Sequence, residues 1–98
     1  YKITKPDLAK FKDSSFHLYV IKINNRNDLY EYLKENQIAT NVHYFPIHMQ
    51  PYYQNLGFRK GDFPNAEEYG RTAISIPIYS SLSIENQKNI VNLLNNFQ

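Results

Sequence analysis

The stretch HYFPIHMQPYYQNLG, residues 43–57, combines two histidines, four Tyr or Phe rings and two prolines. Pro46 and Pro51 lack amide donors and bias the residues before them toward extended backbone, so this stretch cannot be one regular helix. We therefore interpret it as a loop held by the surrounding elements. A loop rich in aromatic and hydrogen-bonding side chains either fills a gap in the packing or presents those groups to a ligand, and both interpretations stay open.

The size and composition of the chain indicate one small globular domain. Its 98 residues allow a single hydrophobic core, and its 42% hydrophobic and 20% charged residues are ordinary for such a domain. A net charge of +2 does not by itself indicate a nucleic-acid partner. The absence of cysteine excludes disulfides and thiolate zinc sites. No apolar run reaches the roughly 20 residues of a membrane span and no signal peptide opens the chain, so we expect a cytoplasmic protein.

The residues before the loop predict a strand and a helix. Residues Phe16–Ile23 are aromatic or β-branched, which is typical of a strand with at least one covered face. Asn24–Asp28 is a helix-start cluster, because short polar side chains accept hydrogen bonds from first-turn amides. The helix is predicted over Arg26–Asn36, with Leu29 and Leu33 on its buried face.

Around the loop, the pattern predicts a further strand and two helices. Ile38–His43 is expected to be extended, and Pro51–Leu56 forms one or two helical turns that end at Gly57 with positive φ. A second helix is predicted over Pro64–Thr72. Gly70 weakens that helix locally, and we interpret it as a mark of close packing against a neighbour.

The C-terminal residues predict a strand followed by the clearest helix of the chain. Ala73–Tyr79 is expected to be a short strand in which Pro77 requires an edge or terminal position. Ser83 is a good N-cap for a helix whose apolar residues recur near every 3.6 positions, at Ile84, Ile90, Val91, Leu94 and Phe97. Three strands and these helices predict an α+β two-layer sandwich, with helices on one face of a small, mostly antiparallel sheet.

Several kinds of chemistry are disfavoured by the residues themselves. His43 and His48 are five positions apart across a proline, and the third histidine, His17, falls in a predicted strand, so no zinc motif is formed. No serine lies in a glycine-rich nucleophile elbow. Glu67 and Glu68 are adjacent on a helix and point about 100° apart, so we interpret them as first-turn charges rather than as an acid/base pair.

A non-catalytic function remains an alternative. Phe16 and Tyr19 lie on a predicted strand of a small sheet, and exposed aromatic residues on ferredoxin-like sheets stack bases in some RNA-binding proteins. The basic residues are scattered and no RNP motif occurs, which argues against nucleic acid. A ligand-binding or RNA-binding module is therefore kept as the second hypothesis.

Four ordered blocks carry a resemblance to a known family. They are residues 43–53, 56–57, 61–67 and 74–79. In this order they resemble the C-terminal part of the DegT/DnrJ-type sugar aminotransferases, fold-type I enzymes that use pyridoxal phosphate (PLP) to aminate keto-sugars carried on nucleotides. The spacing is most similar to the members that make amino sugars of the pseudaminic-acid type. The resemblance runs from about Phe16 to the end, and it departs from the family at residues 78–80, where a proline-containing turn is common.

The resemblance implies that this chain is the small domain of a longer enzyme. Residues 1–15 would then be a connector from a large domain, and 16–98 the C-terminal small domain. In the family the lysine that binds PLP and the groups that hold the cofactor belong to the large domain, so no catalytic residue is expected here and the chain alone should be inactive. Lys2, Lys5 and Lys60 are not expected to take that role.

The resemblance also implies where the substrate lies. His43, Tyr44, His48 and Gln50 would form one wall of the active-site mouth, close to a homodimer interface, where a UDP- or dTDP-linked keto-sugar enters and glutamate supplies the amino group. Neutral imidazole, phenol and amide groups suit a sugar because they form hydrogen bonds without the desolvation cost of a charge. For each of them, a hydrogen bond that braces the loop is the alternative role. No nucleic-acid or membrane partner is expected.

Overall fold

A computed structural model describes residues 2–97 of the chain. Tyr1 and Gln98, the outer ends of the two predicted segments, lie outside the described residues. In chain order the elements are a 3₁₀ turn (Leu8–Phe11), β1 (Tyr19–Lys22), α1 (Arg26–Glu35), a 3₁₀ turn (Ile47–Met49), α2 (Pro51–Asn55), α3 (Pro64–Thr72), β2 (Ala73–Ile76) and α4 (Ile84–Asn96). The predicted α+β class is confirmed.

The sheet consists of β1 and β2 paired in antiparallel fashion, with Ile21 directly opposite Ile74. Within residues 2–97 these are the two strands that the sheet contains. A single bridge extends each outer edge, Thr4 with Lys22 beside β1 and Asn41 with Ser75 beside β2. Thr4 and Lys22 exchange two backbone hydrogen bonds of 2.9 Å, so the segment before β1 is tied to the sheet.

The third strand predicted over Ile38–His43 was wrong, because only Asn41 pairs with β2. Asn41 and Ser75 exchange backbone hydrogen bonds of 3.1 and 2.8 Å. Thr40 and Asn41 interrupt the apolar pattern, and asparagine is depleted in strands. The chain therefore makes one bridge and then enters the loop.

Three local predictions also need correction. β1 begins at Tyr19 rather than Phe16, because Phe16 has a positive φ of 49° that interrupts the extended backbone. β2 ends at Ile76 rather than Tyr79, because Pro77 has no amide to continue the ladder. Asn25 occupies the N-cap of α1, but its side chain makes no capping hydrogen bond within residues 2–97.

Helices α1 and α4 cover one face of the sheet. Leu29 and Leu33 of α1 are fully buried against Ile21 and Ile74, as the sequence predicted for the two leucines. Leu93, Leu94 and Phe97, at the end of α4, pack around the same cluster. Burying one such side chain contributes about 1.5–3 kcal/mol, so this cluster is the main source of stability. No helix among residues 2–97 has the length and apolar character needed to cross a membrane.

The predicted helix ends are largely confirmed. The Ser83 hydroxyl caps α4 by accepting a hydrogen bond from the amide of Asn86 at 3.1 Å. Asn36 ends α1, and the next residue, Gln37, takes the left-handed conformation with φ 62°. Gly57, after α2, has φ 101°, as expected for a position that favours glycine.

Helix α3 passes directly into β2, and Gly70 lies where the loop crosses this helix. A Cβ atom at Gly70 would come within 2.9 Å of Pro46 Cδ and 3.2 Å of the Tyr44 carbonyl oxygen. Both neighbours are held in place, one by a ring and the other by the backbone. The predicted close packing at Gly70 is confirmed, and its neighbour is the loop itself.

We expect Gly70→Ala to destabilise the fold although alanine is the better helix former. The helix propensity gain of up to about 1 kcal/mol is opposed by an overpacking cost of about 1–3 kcal/mol against Pro46. Urea denaturation should show a net loss of stability. The difference between Lys88→Ala and Lys88→Gly, at an exposed position inside α4, measures the propensity difference alone. A Gly70→Ala protein as stable as the wild type would show that the loop moves away from α3 at no cost.

Candidate functional site

All four site residues predicted from the sequence lie on the loop of residues 43–50, here called the site loop. The segment formed by α3 and β2 holds this loop at three places along its length. Ser75 contacts its first residue, Gly70 its middle and Glu67 its later part. A loop fixed at three points by a helix and a strand presents its exposed side chains in a defined arrangement.

The side chain of His43 contacts β2 on the face of the sheet opposite to α1 and α4. Its Nδ1 is 3.3 Å from the hydroxyl of Ser75, whose side chain is buried. Ser75 and Ile74 are neighbours on a strand and therefore point to opposite faces, which places the imidazole away from the helices. The bracing role that the sequence left open for His43 is thus present. Its Nε2 has no hydrogen-bond partner among residues 2–97, and the ring is only partly buried.

Tyr44 projects from the site loop beside His43. Its side chain is 74% exposed, and its ring centroid is 4.8 Å from that of His43 at an angle of 42°. The peptide bond between the two residues is cis. The carbonyl oxygen of Tyr44 faces Gly70 while the phenol stays accessible. His43 and Tyr44 therefore form one partly exposed pair.

His48 is placed differently, because its ring is buried with only 6% exposure. Its Nε2 is 2.8 Å from Oε1 of Glu67 in α3. A carboxylate oxygen only accepts, so Nε2 carries the hydrogen in this contact. The edge of Phe63 packs on the ring at a centroid distance of 4.9 Å. His48 thus contacts the protein interior rather than the side of the loop that Tyr44 occupies.

Glu67 also accepts a hydrogen bond from the amide of Gly61, on the same oxygen that contacts His48. The hydrogen bond from His48 lowers the pKa of Glu67, and the Gly61 amide lowers that pKa further. Electrostatic interactions with His48 and Lys60 also lower the pKa of Glu67, and desolvation by partial burial raises it. One carboxylate consequently joins the site loop, the turn at Gly61 and α3.

Sequence reasoning missed the roles of Glu67 and Ser75. Glu67 does stand in the first turn of α3, as predicted, but its partners lie 19 and 6 residues away. The sequence predicts a helix start before Glu67 and a first-turn charge at Glu67, and neither indicates these contacts. Ser75 falls in the strand predicted over Ala73–Tyr79, and the pattern of that strand does not indicate the contact with His43.

Gln50 lies at the end of the site loop and is the N-cap of α2. Its amide donates to the carbonyl of Ile47, and its carbonyl accepts from the amide of Gln54, each at 3.0 Å. The residue is exposed. The backbone of Gln50 is therefore fixed, while its carboxamide remains open to solvent.

An exposed aromatic surface adjoins the site loop. Tyr53 packs edge-on against Tyr52 at 5.2 Å and against Phe58 at 6.3 Å, and Phe58 lies 6.0 Å from Phe63. Ile47 borders the same group of side chains, and Leu56 follows directly after α2, each 62% exposed. The aromatic surface, defined here by its six side chains, consists of Ile47, Tyr52, Tyr53, Leu56, Phe58 and Phe63. Exposed apolar side chains grouped in this way are typical of interaction sites on proteins.

The chemistry available at the site is hydrogen bonding by neutral groups. Among residues 2–97, no cluster of three or more His, Asp or Glu side chains could hold a metal ion. The described residues also do not fit PLP, which needs a lysine for the Schiff base and an acidic partner for its ring nitrogen. Lys60 is the lysine next to the loop, and the nearby carboxylate of Glu67 is engaged by His48 and Gly61. The exposed groups of the site loop can bind and orient a polar ligand through hydrogen bonds.

Comparison with known proteins places this geometry in a family. A 36% identical relative over 90 residues is the erythromycin biosynthesis sensory transduction protein EryC1 of Saccharopolyspora erythraea; the match covers 91% of this chain and 25% of that protein. A 33% identical relative is the UDP-4-amino-4,6-dideoxy-N-acetyl-beta-L-altrosamine transaminase of Helicobacter pylori, with 79% and 22% covered.

A solved structure supports the same assignment. The PLP form of a putative sugar aminotransferase, Spr1654 of Streptococcus pneumoniae, superimposes with a TM-score of 0.77 at 27% identity, over 92% of this chain and 24% of that chain. The chain therefore spans about a quarter of the length of the proteins it matches. Residues 2–95 match the model of the DegT/DnrJ/EryC1/StrS aminotransferase family, and the chain belongs to that family.

Proposed function

We propose that this chain is the small domain of a PLP-dependent aminotransferase that transfers an amino group from glutamate to a UDP- or dTDP-linked keto-sugar. Residues 1–15 would connect it to the large domain, and residues 16–98 would form the small domain itself. Family membership supports the activity, and so does the H. pylori relative, which is a transaminase of a UDP-linked amino sugar. The observation that carries the role of this domain is the exposed His43–Tyr44 pair on a loop fixed at three points.

The residues of the site loop have separate tasks in this proposal. His43 Nε2 and the Tyr44 phenol would form hydrogen bonds to hydroxyl, acetamido or phosphate oxygens of the substrate, and the Gln50 carboxamide would add a third contact. His48 would contribute by fixing the loop, since its ring is buried against Glu67. Holding the sugar in register matters because small displacements of the reacting carbon are costly.

The cofactor would be held by the remainder of the parent protein, since the described residues do not fit it. PLP supplies the electron sink for amino transfer when bound. The contribution of this chain is confined to binding and orienting the sugar nucleotide. We accordingly expect the chain alone to be inactive.

The aromatic surface would form part of a homodimer interface next to the substrate site. Its six side chains are exposed, its four aromatic rings pack in series, and aromatic residues are enriched in protein interfaces. Its position beside the site loop would bring the second protomer close to the sugar nucleotide. We place the parent protein in the cytoplasm, where sugar nucleotides are made available to transferases.

The cofactor prediction is tested on the full-length parent protein. Purified without added cofactor, it should show a visible PLP absorption band that bleaches when glutamate is added, because the amino group passes to the cofactor. The spectrum before and after glutamate is the measurement. A parent protein without such a band, even after PLP is supplied, would overturn the proposed activity.

The substrate contacts are tested through the half-reaction with an amino sugar. A panel of UDP- and dTDP-linked amino sugars that includes the H. pylori product should bleach the same band. His43→Ala and Tyr44→Phe should each lower the second-order rate constant for bleaching by the amino sugar roughly ten-fold. Each variant removes about one hydrogen bond worth ~1–1.5 kcal/mol. The rates are measured by stopped-flow absorbance.

Two variants separate contact from bracing. Ser75→Ala removes the hydrogen bond to His43 but keeps the imidazole, so it should change the sugar rate by less than about three-fold. Tyr79→Phe removes the hydroxyl of an exposed tyrosine outside the site loop and should have no effect. If Ser75→Ala is as damaging as His43→Ala, then the contact between Ser75 and His43 accounts for the effect, and a direct contact of His43 with the sugar is no longer supported.

The dimer prediction is tested with Leu56→Asp in the full-length protein. An aspartate in the aromatic surface would leave a buried, unpaired charge at the interface, so the variant should be mainly monomeric. Sedimentation velocity measures the association state. Ile84→Asp, at an exposed apolar position in the first turn of α4, serves as the control and should remain dimeric. A dimeric Leu56→Asp protein would exclude this surface as the interface.

A further inference from the structure

Glu67 and Glu68 are neighbours in sequence but make different contacts. Glu68 pairs with Arg71 of its own helix at 2.8 Å, and both side chains are more than half exposed. Glu67 turns away from solvent, with 18% side-chain exposure, and meets the buried His48. An exposed ion pair such as that of Glu68 with Arg71 contributes little to the stability of the fold. The Glu67 contact joins segments that are distant in sequence.

Glu67 holds the later part of the site loop in place through its contact with His48. The loop is fixed at His43 by Ser75 and near Pro46 by Gly70, but beyond Pro46 its anchor is His48. Without the carboxylate, the His48 Nε2 hydrogen and the Gly61 amide would both lose their acceptor. A buried donor without an acceptor is unfavourable, so the ring would reorient and carry the loop with it.

Phe63 links the same contact to the aromatic surface. It packs on His48 and also on Phe58, while the Gly61 amide bonded to Glu67 lies two residues before it. Release of Glu67 would therefore loosen the site loop and the turn of residues 58–63 together. Both flank the place where the proposed substrate would bind.

We infer that Glu67 is a positioning residue for the sugar nucleotide, acting through His48 on the site loop without touching the substrate. The inference rests on the proposed function. It assigns to a first-turn glutamate of α3 a role in binding the sugar, and none in the reaction with glutamate as amino donor. The lowered pKa of Glu67 agrees with a carboxylate that stays ionised between its two donors.

The experiment compares two half-reactions of the full-length holoenzyme, which share the cofactor band but differ in the amino donor. Glutamate is one donor, and the UDP- and dTDP-linked amino sugars named above are the other. Each reaction gives a maximal rate and a half-saturating donor concentration. For Glu67→Ala we expect the half-saturating sugar concentration to rise at least about ten-fold. Both constants for glutamate should stay within about two-fold of the wild type.

Two further variants test the chemical basis of the effect. Both partners of Glu67 donate, so the amide oxygen of Glu67→Gln can still accept from both, and this variant should lie within about three-fold of the wild type, the remaining loss reflecting the weaker uncharged acceptor. Glu68→Ala is the matched control and should leave both half-reactions unchanged. A large effect of Glu67→Ala, a small effect of Glu67→Gln and no effect of Glu68→Ala on the half-saturating sugar concentration would be expected if Glu67 positions the loop as a hydrogen-bond acceptor.

The outcomes separate this inference from the proposed function. Glu67→Ala that behaves like Glu68→Ala overturns the positioning role. Equal losses toward glutamate and sugar overturn it as well, because they indicate a general loss of folded enzyme. A wild-type protein that bleaches with neither donor, or with glutamate alone, overturns the proposed substrate class and this inference with it.

Discussion

The direct passage of α3 into β2 is the constraint on which the site depends. No residue separates Thr72 from Ala73, so a helix and a strand form one continuous support. The Thr72 hydroxyl donates to the carbonyl of Glu68, and the Thr72 carbonyl accepts from the amide of Ile23, which fixes the junction from both sides. Three positions along this support contact the site loop in different ways. The carboxylate of Glu67 hydrogen-bonds to His48, the backbone of Gly70 packs closely against Pro46, and the hydroxyl of Ser75 hydrogen-bonds to His43.

The support is itself held by the sheet core on its other face. Ile74 is opposite Ile21 and is covered by the two leucines of α1, whereas its neighbour Ser75 faces the site loop. Because side chains alternate along a strand, Ile74 packs in the core while the adjacent Ser75 contacts the site loop. A substitution at Ile74 would act on the whole fold, while one at Ser75 acts on the orientation of His43.

The sequence predicted the elements better than the contacts between them. Helices α1, α3 and α4 follow from periodicity, proline and capping residues, all of which act within a few positions. The prediction of an edge strand over Ile38–His43 was wrong because strand pairing depends on the neighbouring segment of the fold. The local composition of residues 38–43 does not contain that information. The contact between His48 and Glu67 was invisible for the same reason, since 19 residues separate them. Gly70 was the exception, because a glycine within a helix signals a close neighbour even when that neighbour is unknown.

The distribution of charge in the site is consistent with the sugar substrate that we propose. Residues 43–50 contain no Asp, Glu, Lys or Arg, so the loop itself offers neutral groups and two imidazoles. Of the two imidazoles, one is buried against a carboxylate that the fold supplies from α3, and the other rests on a serine hydroxyl. The ionised group therefore faces inward, where it fixes the loop. Outward, the loop shows a phenol, a carboxamide and one ring nitrogen, and in the proposed function these would bind hydroxyl and amide groups through directional hydrogen bonds.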